Sequence, residues 1–418
     1  MLSSVQLGDL MDFSGVIPGV RGRLGDDEIF ALHGLAMERA AKGESILNST
    51  LGTLATEDGQ LAVMPSVLET MARLQGPVTA GYAPVAGKPE YLKAVITDVF
   101  GDSPLASQSV AAAVPGGSGA IYQAVVNFLE PGQKFLATNF HWGPYPGIAG
   151  NLGRGFEKFD MFTEDGSFNV EALSAAVDRH ISTQGRVLVV LNFPCHNPTG
   201  YSLDAAEWRA TCDVLRAAGE RAPVTVLFDI AYFWFAGEDA KTWVDWVPTL
   251  LESTTVLVAW TASKSYCQYG SRTGAIIGLH RDPEELDQMR NAFGYTCRAT
   301  WSNCNHLGQL AATELITNPK LNARWVAERD ALVDLLDQRI VIFNDLAEKA
   351  GLRMPRYQNG FFLIVYTSDA DRTAAAMRDE GVFVLPIPGA VRVALCHTPE
   401  KDLPRLVEAL QVGVAAAS

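Results

Sequence analysis

A lysine in the second half of the chain stands where it could carry out covalent chemistry. Lys264 follows the apolar run 255–260, which predicts a central strand. Open α/β sheets bind their ligands at the carboxyl ends of their strands, so the lysine is predicted to lie at a ligand-binding edge. Arg272 follows in the same segment, and its forked guanidinium suits an anionic group. The pair predicts a covalent anchor for a ligand that also carries an anion.

Two more predicted strands bring polar side chains to that edge. Run 186–193 leads to Asn197, and run 224–228 leads to Asp229 and Tyr232. The interval from Asn197 to Asp229, and the interval from there to the lysine, are each long enough for one crossover helix and the next parallel strand. These polar groups are therefore predicted to converge at one rim of the sheet.

The converging groups match the needs of pyridoxal phosphate. Lys264 is predicted to form the Schiff base, which requires an amine made partly neutral by desolvation and by nearby positive charge. Asp229 is predicted to keep the pyridine nitrogen protonated, so that the ring can act as an electron sink. Asn197 and Tyr232 could donate to the phenolic oxygen of the ring. Arg272 is predicted to bind the phosphate.

A second candidate for phosphate binding lies upstream, in the glycine-rich segment 114–120. It includes Gly117 and Ser118 and precedes the helical pattern 121–129. A strand, a glycine turn and a helix start present backbone N–H donors and a positive dipole end to an anion. Such turns are common, so this segment supports phosphate binding only together with the other groups.

Taken in chain order, these motifs resemble the fold-type I pyridoxal phosphate enzymes, and within them the aspartate and aromatic aminotransferases of class I. The resemblance covers nearly the whole chain. It rests on Gly52, 64–67, 82–87, 117–119, 141–142, 197–200, 229–232, 264–272, 297–303 and 389–392. It implies an α/β fold with a large parallel or mixed sheet, helices on both faces of that sheet, and a smaller α/β domain.

The resemblance also implies roles for residues that the strand patterns do not single out. Trp142 would stack on the cofactor ring, and Arg392 would bind the α-carboxylate of the substrate. Tyr82 would reach the phosphate of a neighbouring subunit, and Arg298 would cross to that subunit to bind a distal carboxylate. Lys264 would also move the proton between the substrate and the cofactor. A homodimer with shared active sites is therefore expected.

The complete predicted site falls into three groups, and no metal ligand is among them. The catalytic residues are Lys264, Asp229 and Tyr232. The cofactor-binding residues are Gly117, Ser118, Trp142, Asn197, Asp229, Tyr232, Thr261, Ser263, Lys264, Arg272 and Tyr82. The substrate-binding residues are Gly52, Asn197, Arg298 and Arg392.

Three departures from the family pattern lie near parts that face the substrate in the family. Thr261 stands where many relatives have serine, although it keeps the hydroxyl. Segment 53–55 reads Thr-Leu-Ala where aspartate enzymes tend to have Ala-Tyr, and segment 304–306 replaces a proline pair. The side chain of the preferred amino donor, dicarboxylic or aromatic, therefore stays open.

The hydrophobic patterns also suggest how the chain divides. Alternating strands and helices predict a large cofactor-binding domain over 62–318. The amphipathic stretch 322–349 predicts a helix that bridges domains. A small domain is assigned to 319–418 together with 20–61, the latter on the resemblance alone, and 1–19 is expected to form an N-terminal arm.

Composition excludes several other classes of protein. The chain has 418 residues, 48% hydrophobic content and a net charge of −14, and it lacks a basic patch or a basic amphipathic stretch. No nucleic-acid or membrane partner is predicted. Six dispersed cysteines argue against a disulfide framework or a zinc site. The N-terminus lacks a secretory pattern, so a cytoplasmic protein is expected.

The predicted reaction is the exchange of an amino group between an L-amino acid, aspartate or aromatic, and a 2-oxo acid such as 2-oxoglutarate. A lyase or decarboxylase on the same fold is the alternative, because it would share every cofactor contact. A non-catalytic cofactor-binding regulator is a second alternative. It would need a nucleic-acid module, for which the sequence offers no spare segment.

Overall fold

Strands and helices alternate along the chain in a computed structural model that describes residues 15–23, 25 and 28–417. The strands are β1 (Leu47–Asn48), β2 (Ser109–Pro115), β3 (Lys134–Thr138), β4 (Gly155–Phe159), β5 (Val187–Leu191), β6 (Val224–Asp229), β7 (Thr255–Thr261), β8 (Thr273–Leu279), β9 (Phe362–Tyr366), β10 (Val382–Phe383), β11 (Leu385–Ile387) and β12 (Ala390–Ala394). The helices are α1 (Glu28–Ala41), α2 (Pro65–Leu74), α3 (Pro77–Ala80), α4 (Pro89–Phe100), α5 (Gly116–Phe128), α6 (Pro144–Asn151), α7 (Val170–Gln184), α8 (Ala205–Gly219), α9 (Val247–Leu250), α10 (Ala262–Ser265), α11 (Pro283–Ala299), α12 (His306–Thr317), α13 (Pro319–Lys349), α14 (Ala370–Asp379) and α15 (Leu403–Ala417). Most of the predicted N-terminal arm, 1–19, lies outside the described residues.

A seven-stranded sheet in the order β2-β8-β7-β6-β5-β3-β4 forms the centre of the fold. Strands β4, β3, β5, β6 and β7 pair in parallel, whereas β8 runs antiparallel to both of its neighbours. Every residue of β5 and β6 is buried, as their nearly continuous apolar sequences require of central strands covered on both faces. The α/β fold with a mixed sheet, predicted from the sequence, is confirmed.

The two faces of this sheet are covered by separate apolar clusters. Val189, Val226 and Val258 belong to one cluster, and their neighbours Leu188 and Leu227 belong to the other. Successive side chains of a strand point to opposite faces, so this alternation follows from strand geometry. Helices therefore pack on both sides and leave the carboxyl edge of the parallel strands open.

A third apolar cluster surrounds a smaller sheet. Strands β11, β12 and β9 form an antiparallel sheet, and β1 pairs with β10 in parallel. Helix α13 contacts two clusters, because Trp325 near its start lies in the large-sheet core while Ile340 and Phe343 lie in the third cluster. The long helix thus connects the two cores.

Helix α5 differs from the sequence prediction at its start. The pattern placed a turn at the glycines and a helix from residue 121, but the helix begins at Gly116. Glycine has a poor intrinsic helix propensity, which is why the sequence favoured a turn. Because the helix begins at Gly116, the glycines form its first turn, and their backbone N–H groups lie at the helix N-terminus.

Candidate active site

A cavity of about 160 Å³ opens at the carboxyl edge of β5, β6 and β7. It is lined by Gly117, Ser118, Trp142, Asn192, Asn197, Asp229, Ala231, Tyr232, Thr261, Ser263, Lys264 and Arg272. All of these except Asn192 and Ala231 were predicted as site residues from the sequence. The fold thus brings together groups that come from distant parts of the chain.

Lys264 lies on the short helix α10, directly after β7. The hydroxyl of Thr261 caps this helix by accepting a hydrogen bond from the backbone N–H of Ser263, at 3.2 Å. The Lys264 Nζ atom lies 5.2 Å from the centre of the Tyr232 ring. Desolvation, helped by the charge of Arg272 and opposed by Asp229, lowers the pKa of Lys264 to about 8. Roughly one tenth of this amine is therefore neutral at pH 7, far more than for a solvated lysine.

Asp229 ends β6 as a buried carboxylate with defined partners. The hydroxyl of Tyr145 donates to its Oδ2 atom at 2.7 Å, and the backbone N–H of Ala231 donates to Oδ1 at 3.3 Å. Burial raises the pKa of Asp229, while the Tyr145 hydrogen bond, the Ala231 hydrogen bond and the charge of Lys264 lower it. Sequence reasoning missed Tyr145, because a tyrosine one helical turn after Trp142 is typical of core packing.

Asn192 connects the loops that follow β5 and β6. Its Nδ2 atom donates to the backbone carbonyl of Asp229 at 2.8 Å, and its Oδ1 atom accepts from the backbone N–H of Asn197 at 2.8 Å. The side chain of Asn197 in turn donates to the hydroxyl of Tyr232 at 3.3 Å. Three of the predicted site residues are therefore held in one hydrogen-bonded group by a residue that the sequence patterns did not single out.

An anion cradle forms where Arg272 meets the start of α5. Arg272 has a φ of 52°, and its guanidinium donates to the Ser263 hydroxyl at 3.3 Å and to the Pro115 carbonyl at 3.3 Å. Gly116 has a φ of +69°, and a Cβ atom there would lie 2.3 Å from Nη2 of Arg272. A side chain at this position would occupy the space of the guanidinium. The helix N-terminus and the arginine together suit the phosphate of pyridoxal phosphate.

Arg392 lies on β12, at the side of the site that the small sheet provides. It is buried, and its Nη2 atom donates to the Thr50 carbonyl at 2.6 Å. Its guanidinium carbon lies 4.5 Å from the centre of the Phe362 ring. Gly52 gives this ring its space, since a Cβ atom there would lie 2.4 Å from Cζ of Phe362. Phe362 is thus another contact residue that the sequence did not indicate.

A second cavity of about 370 Å³ adjoins the first and shares Asn197 with it. Arg392 lines this second cavity, which extends between the start of α1, the loop before α6, and β11. Ile29, Phe140 and Leu385 contribute apolar surface to it. The predicted carboxylate-binding arginine therefore faces a space that could take part of a substrate.

Gly52 packs against Phe362 and lines neither of the two cavities. Tyr82 and Arg298 are the other two predicted residues that this single chain does not bring to either cavity. Both are exposed, Tyr82 to 91%, and within the described chain neither lines either cavity. Arg298 donates to the hydroxyl of Ser302 on its own segment. Their predicted roles involve a second subunit, so they stay predictions.

The described residues also show no metal cluster and no transmembrane helix. Within 15–23, 25 and 28–417, no group of three or more histidine, cysteine or acidic side chains is placed to hold a metal ion. No helix over those same residues combines the length and the apolar character needed to span a bilayer.

A mixed sheet with helices on both faces, a lysine-bearing turn at its carboxyl edge and a buried aspartate on the next strand define a fold-type I pyridoxal phosphate enzyme. Within that class, residues 46–410 match the family of class I and II aminotransferases, and the chain belongs to this family. The resemblance predicted from the motifs is confirmed. The family assignment supports transamination over the lyase or decarboxylase alternative.

Individual relatives agree with this assignment. An aromatic-amino-acid aminotransferase of Paracoccus denitrificans is 25% identical over 93% of this chain and 98% of its own length. An aspartate aminotransferase of Pseudomonas aeruginosa is 25% identical over 73% of this chain and 77% of its own length. The crystal structure of an aminotransferase from Anaerococcus prevotii has a TM-score of 0.90 and 29% identity, and the match covers 97% of this chain and 100% of that one.

Proposed function

We propose that this aminotransferase moves an amino group from aspartate or an aromatic L-amino acid to a 2-oxo acid such as 2-oxoglutarate, with Lys264 as its covalent and proton-transferring residue. One observation carries the proposal: an amine whose pKa is lowered to about 8 lies in a cavity between a buried carboxylate and an arginine. Relatives named for aromatic amino acids and for aspartate support both donor classes.

The residues of the cavity fit the cofactor that the family uses. Pyridoxal phosphate, when bound, supplies an aldehyde that links to amines and a ring that accepts electrons from the substrate Cα. Lys264 would hold the aldehyde carbon, and Asp229 would hold the ring nitrogen. Arg272 and the α5 N-terminus, with Gly117 and Ser118, would hold the phosphate. The remaining contacts are proposed for Trp142, Asn197, Tyr232, Thr261 and Ser263.

The proton transfer is assigned to the free amine of Lys264. A neutral amine can take the proton from the substrate Cα, and the resulting ammonium can return it to a neighbouring carbon. Burial favours the neutral form of Lys264, and the nearby positive charge of Arg272 favours it further. Tyr232 is proposed to assist, because its ring lies 5.2 Å from Nζ.

Substrate binding is proposed for Arg392, Asn197 and the Gly52 segment. A guanidinium suits a carboxylate because two of its N–H groups can donate in parallel, one to each carboxylate oxygen. The apolar side of the second cavity, with Ile29, Phe140 and Leu385, favours an aromatic donor. Arg298 of a second subunit would favour a dicarboxylic donor. Both donors therefore remain in the proposal.

We further propose a homodimer in which Tyr82 and Arg298 complete the site of the other subunit. His306, shortly after the Arg298 segment, bonds to the carbonyl of Gly81, so the two segments lie together on the surface. Exposed Tyr295 and Val78, at 79% and 68%, add apolar area to that region. Exposed large apolar side chains on such segments are consistent with an interface.

Two broader proposals concern the whole chain. The division into 62–318 as the large domain, and 20–61 with 319–418 as the small domain, is supported by the separate apolar clusters around the two sheets. The arm 1–19 belongs to the same proposal. A cytoplasmic location is supported by the six cysteines, all free and buried, because disulfides are rare in that compartment.

The decisive experiment is reductive trapping followed by peptide mapping. Purified protein is incubated with pyridoxal phosphate, reduced with borohydride and digested, and the modified peptide is sequenced. The expected result is one modified peptide containing Lys264, together with amino transfer from aspartate or an aromatic donor to 2-oxoglutarate. Modification of another lysine instead would refute the assignment of Lys264.

A further inference from the structure

A residue of the connecting helix α13 forms a hydrogen bond to the turn that carries Lys264. The indole N–H of Trp325 donates to the backbone carbonyl of Ser265 at 3.1 Å. Trp325 is 1% exposed, and Ser265 is equally buried. A buried hydrogen bond of this kind is shielded from competing water.

The indole of Trp325 has little freedom to move away from this carbonyl. The Tyr266 ring stacks on it with ring centres 4.8 Å apart and an angle of 27° between the planes. The guanidinium carbon of Arg329 lies 5.0 Å from the Trp325 ring and 4.1 Å from the Trp234 ring. Arg329 also donates to Asp330 at 2.7 Å. The donor is therefore fixed by a stack of aromatic and cationic groups.

Helix α10 needs such support because it has only four residues. So short a helix has almost no intrinsic stability, and its last carbonyl groups lack partners within the helix. Its own backbone bonds run from Tyr266 to Ala262 at 3.1 Å and from Cys267 to Lys264 at 3.0 Å. The Trp325 bond satisfies the carbonyl of Ser265, the residue that follows the lysine.

We propose that Trp325 is a positioning residue for Lys264: its bond to the Ser265 carbonyl fixes the turn that aims the amine, and ties that turn to α13. The proposal rests on the proposed role of Lys264. Trp325 does not line the substrate cavities described above, so it acts on the amine through the backbone. Through α13 the same bond links the lysine turn to the core around the small sheet.

The test is Trp325→Phe, which keeps an aromatic ring for stacking but removes the N–H donor. Its matched control is Trp243→Phe, because Trp243 is also 1% exposed and its Nε1 atom has no hydrogen-bond partner in the described structure. In the cofactor-free chain, the backbone amides of 265–267 should exchange with solvent roughly fivefold faster in Trp325→Phe than in wild type. In the loaded enzyme, kcat should fall about fivefold while KM for the amino donor changes less than about twofold.

The control separates positioning from general loss of packing. Trp243→Phe should leave both the exchange of these amides and kcat at the wild-type values. The proposal is overturned if Trp325→Phe exchanges like wild type, or if the control changes exchange and kcat to the same extent. If Trp325→Phe does not fold, Arg329→Lys provides the test, because lysine has no planar group to lie against the rings of Trp234 and Trp325. Unchanged exchange of these amides would then overturn the proposal.

Failure of the proposed function would give a different result from failure of the positioning role. If borohydride labels a peptide without Lys264, the proposed function fails. If it labels Lys264 in both wild type and Trp325→Phe but exchange and kcat do not change, only the positioning role fails.

Discussion

The protonation state of the Lys264 amine decides when it can react. Its pKa is lowered to about 8 by desolvation and by Arg272, so the neutral, nucleophilic form grows as the pH rises through that value. We expect the rate at which the cofactor-free chain captures pyridoxal phosphate to rise with pH and to reach half of its maximum near pH 8. The change in cofactor absorbance measures this rate.

Lys264→Arg is the control for this prediction, because a guanidinium keeps the charge and cannot form the linkage. It should show no capture at any pH. A half-maximal rate at pH 10 or above in wild type would mean that the amine behaves as a solvated lysine.

Burial raises the pKa of Asp229, and the hydrogen bond from Tyr145 opposes this rise. Tyr145→Phe removes the donor, so the pKa of Asp229 should rise. As the pH is lowered, the variant should lose affinity for the cofactor at a higher pH than wild type does. Its kcat should also fall about tenfold. A titration of cofactor binding against pH measures the shift.

Tyr357→Phe serves as the comparison, since Tyr357 is also buried and donates only to the carbonyl of Gly360 among the described contacts. It should leave the pH dependence of cofactor binding unchanged. Equal pH profiles for Tyr145→Phe and wild type would show that Tyr145 does not influence Asp229.

Among the secondary-structure elements, the start of α5 is shaped by the arginine that lies against it. A Cβ atom on Gly116 would lie 2.3 Å from Nη2 of Arg272, and the residue has a φ of +69°. Gly116→Ala should therefore displace the guanidinium. We expect affinity for pyridoxal phosphate to fall at least about tenfold, while affinity for pyridoxal, which lacks the phosphate, changes much less. Equilibrium binding of the two ligands provides the measurement.

Gly153→Ala offers a matched control for backbone strain. Gly153 has a φ of +68°, and a Cβ atom there would have no neighbour within 4 Å. This variant should lose stability but bind both ligands as wild type does. A similar loss of affinity for both ligands in Gly116→Ala would contradict a specific role in phosphate binding.

On the scale of the whole molecule, the proposed role of Arg298 requires a second chain. We expect Arg298→Ala to lose more kcat/KM for aspartate than for an aromatic donor, because only the dicarboxylic substrate has a distal carboxylate. Mixing Arg298→Ala chains with Lys264→Ala chains should restore amino transfer from aspartate. In a mixed dimer, the chain with intact Lys264 would receive Arg298 from its partner.

Subunit exchange and a panel of amino donors test this prediction. Lys264→Ala alone should be inactive. No recovery on mixing, although native mass spectrometry with one chain isotope-labelled shows mixed dimers, would mean that Arg298 does not act across an interface. An equal loss for both donors would mean that it does not select a distal carboxylate.

The central strands and the chemistry near their ends could be predicted from the sequence alone. Strands β5, β6 and β7 were predictable because buried strands read as nearly continuous apolar runs. Each strand ends at or shortly before a residue of the predicted site: Asn197 after β5, Asp229 at the end of β6, and Lys264 after β7. Together with the other motifs, the order of these residues along the chain indicated the family. Local patterns carry this information because apolar runs and turn-forming residues are features of short stretches of sequence.

The side chains that support this chemistry could be identified only from the folded chain. Tyr145 beneath Asp229, Gly116 against Arg272, and Trp325 behind the Lys264 turn join segments far apart in the sequence. The antiparallel direction of β8 was also invisible, because an apolar run has the same pattern in either direction. Such contacts depend on strand order and on how helices pack across the sheet. The local periodicity of the chain predicts neither of these.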